Sequence, residues 1–407
     1  MLYVDALAAA SPAAVPDPAM PDHPPVPVSD APRWRDVVPT PALVLDRDAL
    51  DHNIALMAVA CREAGVALRP HAKTHKCSRI AARQIAAGAC GIACATLDEA
   101  EVMVAAGLPG VLITSPLVGA GKPERLARLA ARAPDLLVVA DHPDAVAALD
   151  RAAAAAGVRL GVLVDADIGH HRTGVAGPAE AVALARAIAA RPALRFAGVQ
   201  GYAGHIQHIG NVDARRSAAA AAAGQLAAVV TALTAAGLRP AIVTGAGTGT
   251  HRFDAAGPFT ELQAGSYTVM DAEYGAVDYA AGEPWPFRPA LAVAVTVVSA
   301  NVPGQVTTDG GTKAFALNGP LPRIADGPLA GAAYAFRGDE HGCVTLPTGA
   351  AAPSPGTVLT CTVPHCDPTI AHYDAVHVVH GDRLVDVWAI DARGRRAAAG
   401  LAPHMLR

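Results

Sequence analysis

The chain has 407 residues, more than one compact core usually holds, which favours one large domain joined to a smaller one. Its 32 basic and 36 acidic residues leave a formal net charge of −4, with no electrostatic footing for nucleic acid or anionic lipid. Alanine inflates the 52% hydrophobic content, and the apolar stretches are short and broken by Arg, Asp or Gly, so no run reads as a membrane span.

Residues 1–35 open as MLYVDALAAASPAAVPDPAMPDHPP. They carry acids where a secretion signal has Lys or Arg, and they lack the arginines of a transit peptide, so the stretch reads as a disordered Pro/Ala leader. From about residue 40 to 275, short apolar runs (ALVLD, VALRPH, CGIACAT, VLITSP, LLVVAD, LGVLVDAD, FAGVQGYAG, AIVTGAG, ELQAG) alternate with helical patterns, several of which end in Gly. Such alternation with continuous apolar strands argues for a parallel sheet covered by helices. About eight units over this length predict a TIM (β/α)8 barrel across 36–280, with a doubly wound open sheet as the alternative. The stretch 281–407 opens on the PWPFRP linker and is then rich in Val and Thr, broken by Gly turns and without a helical period, which predicts a smaller C-terminal β domain. Seven cysteines, an odd number with no C-x-x-C, sit inside apolar patterns and read as reduced, buried thiols of a cytoplasmic protein.

Polar residues gather where the predicted strands end, the face on which barrel enzymes build their sites. The first cluster is RPHAKTHKC, 69–77. If the strand continues through it, His71, Lys73 and His75 share one face, with Thr74 and Lys76 on the other. Positive charge beside Lys73 would disfavour its ammonium form and leave an amine able to attack an aldehyde. The plainer alternative is a solvated strand end. The second cluster is VTGAGTGTHRF, 243–253, where glycines let backbone N–H groups approach an anion and Thr hydroxyls add donors, unless the stretch is merely a tight loop. A nucleophilic amine on an early strand and an anion cradle on a late one are neighbours in a closed barrel. They are the two fittings that pyridoxal phosphate needs.

In VDADIGHHRTGV, 164–175, Arg172 follows a strand end and is a candidate partner for the pyridine nitrogen, unless it pairs with Asp165 or Asp167. In VPHCDPT, 363–369, His365 and Asp367 would share one strand face with Cys366 turned away. That donor pair suits Mn²⁺ or Mg²⁺, with Zn²⁺ as a further choice; the alternative is a polar turn at a strand end. His377 and His380 read as structural, and Lys313 as a solvated loop residue.

The stretches TPALVLD, RPHAKTHK, DIGHHRTGV, QGYAGHIQH, TGAGTGT, ELQAGSYTVMD and PHCDPT run in this order from about residue 38 to 395. Together they resemble the D-threonine aldolase and D-serine dehydratase group of pyridoxal-phosphate enzymes, which share the alanine-racemase-like (fold type III) architecture. The resemblance implies that Lys73 carries the cofactor as a Schiff base, that Arg172 and Tyr202 line its ring, and that Gly247 and Thr248 hold its phosphate. Ser266 and Tyr267 would touch the phosphate or the nearby backbone. It also implies a metal at His365 and Asp367 and a homodimer. The dehydratases look like H-x-C at the metal, whereas here Asp367 stands in the third position and the cysteine is displaced to 366, which favours Mn²⁺ or Mg²⁺ and the aldolase branch.

The expected activity is therefore a carbon–carbon lyase cleaving a D-3-hydroxy amino acid, D-threonine in type, to glycine and an aldehyde. The metal would lower the pKa of the β-hydroxyl, and His208 or His71 would take its proton; His208 is preferred because it lies away from the lysine's own strand. Dehydration of D-serine or D-threonine to a keto acid and ammonia uses the same fittings, as does an aldolase for 3-hydroxy-D-aspartate. A non-catalytic cofactor carrier and a barrel enzyme without pyridoxal phosphate are further readings, and the added β domain with its H-x-D argues against the carrier.

Overall fold

The computed structural model describes residues 28–280 and 282–394; residues 1–27 of the expected leader lie outside them. One sheet is wholly parallel. Its strands are β2 (Ala67–Leu68), β3 (Ala93–Cys94), β4 (Leu112–Ile113), β5 (Leu137–Ala140), β6 (Leu160–Ala166), β7 (Leu194–Gly201), β8 (Ile242–Gly245) and β9 (Glu261–Leu262), in the order β2-β9-β8-β7-β6-β5-β4-β3. A parallel bridge between His71 and Ala93, with Ala93 N–H donating to Pro70 O (2.9 Å) and Ala72 N–H to Ala93 O (2.8 Å), joins the two end strands into a ring. The result is the expected TIM-type barrel and not an open sheet. Continuous burial along β6 explains its unbroken apolar sequence, because a parallel strand is covered on both faces.

Among the described residues, seven helices wrap the ring: α1 (Arg47–Glu63), α2 (Ser78–Ala86), α3 (Leu97–Ala105), α4 (Lys122–Ala130), α5 (Pro143–Ala155), α6 (Pro178–Ala189) and α7 (Val212–Ala235). Their starts follow side-chain capping: Asp46 accepts from the N–H groups of Asp48 and Ala49, and Thr96 from that of Glu99. Helix α7 differs from the sequence reading, which found no run fit to span a membrane. It has 24 residues, and an 18-residue window of it reaches a mean hydropathy of 1.6, so by length and composition alone it would pass. Alanine supplies that hydropathy. Val212, Arg215, Ala219, Ala222, Leu226, Val229 and Leu233, alternately three and four apart, form one buried stripe, and Leu226 packs against Gly201 of the barrel.

The second sheet contains β1 (Ala42–Asp46), β10 (Leu291–Ser299), β11 (Gln305–Thr308), β12 (Tyr334–Phe336), β13 (Gly342–Thr345), β14 (Val358–Thr362), β15 (Ala375–His380) and β16 (Arg383–Ala389). Strand β1 corrects the sequence reading, which counts ALVLD among the barrel runs. It pairs antiparallel with β10 and parallel with β15. Ala42 to Leu45 are all buried, so the run is as evenly apolar as a barrel strand and the pattern alone cannot tell them apart. The end of the expected leader is also ordered. Trp34 is buried, its N–H donates to Asp382 O (3.0 Å), and Arg33 bridges Arg383 at the sheet edge.

Candidate active site

The C-terminal ends of the barrel strands enclose a cavity of about 210 Å³, whose wall includes His71, Lys73, Arg172, Tyr202, His208 and His365. Among the described residues, Lys73 is the one lysine on that wall. The strand does not continue through RPHAKTHKC as the period-two reading assumed. After His71 the chain turns, with Lys76 N–H donating to Ala72 O (2.7 Å). Lys73 therefore enters the cavity, while His75 goes the other way and is 1% exposed. Its Nε2 donates to Gln84 Oε1 (3.3 Å), its Nδ1 accepts from Cys77 N–H (3.1 Å), and burial lowers its pKa to about 4. Lys76 also leaves the cavity and pairs with Glu99.

The electrostatics of Lys73 reverse the sequence expectation. Burial disfavours its ammonium, but Asp367, ion-paired to Nζ, outweighs that and holds the lysine pKa above its ordinary value. On Asp367 burial works upward, yet the charge and hydrogen bond of Lys73 hold the carboxyl well below the usual carboxylate range.

His71 is buried with both ring nitrogens committed. Thr114 Oγ1 gives its proton to Cys94 O (3.1 Å), so it accepts from His71 Nε2–H (3.1 Å), and Nδ1 accepts from Lys73 N–H (3.3 Å). Burial and then the Lys73 charge hold its pKa well below the ordinary value. This ring braces the lysine turn and has no nitrogen left for a substrate proton. His208 is different: it sits at the mouth, its ring 4.4 Å from that of Tyr274, its Nδ1 3.8 Å from Glu273 Oε1. Burial lowers its pKa against the opposing pull of Glu273.

The loop after β8 supplies small residues. Ala246, Gly247 and Thr248 line the cavity together with Gly265 and Ser266. A Cβ on Gly247 would displace the Gln207 carboxamide, and one on Gly265 would come within 2.7 Å of Thr74 Oγ1 and 2.9 Å of the main-chain oxygen of His71, so close packing requires glycine at 265. Ala246 takes φ 68°, a left-handed conformation that non-glycine residues avoid and that tends to cluster at ligand loops. Thr248 Oγ1 accepts from Tyr267 N–H (3.0 Å), which ties the two loops together. The Tyr267 ring is fully buried away from the cavity with its OH accepting from Gln84 Nε2 (3.0 Å), so it is the main chain of this residue that bears on the corner.

Arg172 does not make the alternative ion pairs. Asp165 accepts from Thr173 Oγ1 (2.7 Å) and Gln200 Nε2 (2.9 Å), and Asp167 is taken by His171 Nδ1 (2.6 Å) and Gly169 N–H (3.0 Å). The guanidinium carbon instead lies 5.4 Å from the Tyr202 ring centroid, at the rim of the cavity.

His365 and Asp367 are not on a strand. His365 precedes the short helix Cys366–Ile370, and Asp367 lies in its first turn. Both still reach the cavity region, His365 on the wall and Asp367 on Lys73, while Cys366 is fully buried with its N–H on Asp271 Oδ2 (2.9 Å). Glu273 Oε2 is buried without a hydrogen-bond partner, 3.6 Å from His365 Nδ1. Among the described residues no cluster of three His, Cys, Asp or Glu side chains has metal-binding geometry.

Sequence reasoning missed the floor and one wall. Gln263 Nε2 donates to Gln200 Oε1 (3.1 Å) and Thr244 Oγ1 (2.9 Å), and Gln200 Nε2 to Thr114 O (3.0 Å), a buried amide chain across four strand ends. The signal was present: QGYAG, ELQAG and VLITSP each place a polar residue at a strand's end. Glu273 and Tyr274 gave no such cue.

Residues 45–273 match the family model described as "Alanine racemase, N-terminal domain", and residues 290–379 match "Putative serine dehydratase domain". The chain is 39% identical over 358 residues to a D-threonine aldolase of Arthrobacter sp., covering 88% of this chain and 93% of that one. It is 34% identical over 363 residues to a 3-hydroxy-D-aspartate aldolase of Paracoccus denitrificans (strain Pd 1222), again covering 88% and 93%. The crystal structure of D-threonine aldolase from Filomicrobium marinum aligns with a TM-score of 0.84 at 41% identity, covering 88% of this chain and 96% of that one. The matched models, the relatives and the barrel with its second sheet agree: the chain belongs to the D-threonine aldolase and D-serine dehydratase family of pyridoxal-phosphate-dependent lyases.

Proposed function

We propose that this protein is an aldolase that cleaves D-3-hydroxy amino acids of the D-threonine type to glycine and an aldehyde. It would use pyridoxal phosphate on Lys73 and a divalent metal at His365 and Asp367. The observation that carries this reading is the ion pair between Lys73, on the cavity wall, and Asp367, from the second domain's short helix beside His365. The residues fit both groups. An amine faces the cavity, a corner of small residues with Thr248 and Ser266 hydroxyls leaves room for a phosphate, and Arg172 is uncommitted at the rim. His365 and Asp367 offer an imidazole and a carboxylate, a pair that suits Mn²⁺ or Mg²⁺ before Zn²⁺ and leaves the other positions to water or substrate. The burial of Cys366 supports this H-x-D arrangement over a thiolate ligand.

When bound, pyridoxal phosphate supplies an electron sink for the pair that held Cα to Cβ, and the metal a Lewis acid for the β-hydroxyl. The chain's own residues do the rest. Gly247, Thr248 and Ser266 would hold the phosphate, and Arg172 and Tyr202 would set the ring. His208 accepts the β-hydroxyl proton, and Glu273, 3.8 Å from Nδ1, stabilises the cation that forms. As that proton passes to His208, the oxygen electrons close to the aldehyde and the pair that held Cα to Cβ is released to the Cα side; Cα then takes one proton from water, and His208 returns its own to water, which completes glycine. The seven free thiols suit a reducing, cytoplasmic setting, and the family resemblance supports a homodimer.

Incubation with D- and L-threonine, with and without Mn²⁺, tests the reading. Glycine and acetaldehyde from the D isomer, lost on chelation, are expected. Formation of 2-oxobutanoate and ammonia would assign the chain to dehydration, and preferential cleavage of 3-hydroxy-D-aspartate would reassign the substrate.

A further inference from the structure

The turn that carries His365 and Asp367 is tied to the segment that follows the barrel's last strand. Ala272 N–H donates to Val363 O (2.9 Å), Glu273 N–H to Pro364 O (3.3 Å) and Cys366 N–H to Asp271 Oδ2 (2.9 Å). Of these three bonds, the last is the one made by a side chain. The same carboxylate uses Oδ1 to accept from Tyr274 N–H (2.9 Å), capping the turn Ala272–Gly275. Asp271 is 8% exposed, so water does not readily replace either bond. Cys366 lies between His365 and Asp367 in sequence, so the place of its amide sets both. The segment then continues into Glu273, whose carboxylate lies between the rings of His208 and His365.

We infer that Asp271 is a positioning residue, which registers the His365–Asp367 turn over the barrel mouth so that this donor pair and Lys73 share one cavity. The inference rests on the reading of His365 and Asp367 as metal donors. Asp271 is not on the cavity wall and acts through the Cys366 amide. A cap alone would not require aspartate, since serine caps such a turn well. Serine has one side-chain oxygen on a shorter arm, whereas aspartate satisfies two N–H groups on two elements at once.

The full-length protein carrying Asp271→Ser separates the two duties, because it keeps a capping hydroxyl and loses the oxygen that holds Cys366. Expected are a Mn²⁺ Kd weakened by at least ~10-fold, the scale for losing a partner that orients metal ligands, with unchanged pyridoxal phosphate affinity. Amide hydrogen exchange over 364–370 should quicken while that of α7 stays as in the parent. Should the serine variant not fold, Asp271→Thr, which likewise keeps a capping hydroxyl and no second oxygen, carries the same expectations. Equal weakening of both ligands would mean general loosening and overturn the inference, as would an unchanged Mn²⁺ Kd. If the parent protein binds neither Mn²⁺ nor Mg²⁺, the metal reading fails, and exchange over 364–370 decides registration alone: faster supports it, unchanged overturns it.

Discussion

Lys73 and Asp367 stand 294 positions apart in the chain and meet as an ion pair at the cavity wall that Lys73 helps form. Each controls the other's proton. The carboxylate holds the lysine as an ammonium against the pull of burial, and the ammonium holds the carboxyl ionised. The flanking histidines, buried and neutral, take no part in activating the amine.

Asp367→Asn removes the influence that raises Lys73 and leaves burial, which lowers it. The lysine pKa should then fall, and capture of pyridoxal phosphate by metal-free protein should shift to lower pH by about one unit or more. The rate of adduct formation followed across pH checks this. A profile that does not move would mean Asp367 is not what protonates Lys73.

Lys73→Ala should abolish the borohydride-reducible adduct and lower turnover by at least about 10³-fold, as expected when a group that acts with others as a unit is removed. Lys76→Ala should keep the adduct, because Lys76 points to Glu99 and not to the cavity. Mass spectrometry of the reduced protein decides, and a label on Lys76 would overturn the account of the turn.

His208→Gln should lower kcat by about 10²–10⁴-fold, the range for a positioned proton acceptor, with cofactor occupancy intact. His71→Asn should instead loosen the lysine turn, lowering Tm and cofactor affinity more than kcat per bound cofactor. If the His71 variant were fully loaded and as inactive as the His208 variant, the two roles would have to be exchanged.

Beneath the cavity, Arg69 and Glu261 form a bidentate pair (2.7 and 2.8 Å) with both side chains under a tenth exposed. Glu261→Ala leaves the guanidinium buried without its partner and should cost about 3–5 kcal/mol of stability. Neither residue lines the cavity, so steady-state activity well below the melting temperature should stay near parental. Denaturant unfolding and initial rates measured side by side test the separation.

What the sequence disclosed follows from local rules. Lys73, Arg172 and the glycine loop stood out because ionisable or flexible residues interrupt apolar strands at their ends. His75 was misplaced because a strand period was extended into a turn that residues 72–76 close by a backbone bond. The H-x-D pair was assigned to a strand although Asp-Pro at 367–368 opens a short helix, where proline is well suited to the first turn. Gln200 and Gln263 escaped notice because a neutral amide looks unremarkable until its partners on other strands are known. Glu273 and Asp271 could not be singled out, since their meaning comes from contacts with residues almost a hundred positions away, as the Asp271–Cys366 separation of 95 illustrates.

Strand β1 has a consequence for how the molecule can be divided. It precedes every barrel strand in the chain but lies between β10 and β15, so the second sheet cannot finish assembling until the ribosome has passed residue 380. Cutting at the Pro-rich linker would therefore not yield two autonomous halves. The front fragment would carry an orphan strand with bare edges, prone to self-association, and the rear fragment would have a gap at the middle of its sheet. Mixing the two fragments should restore the sheet by strand complementation, a route to a split enzyme whose activity reports on reassembly.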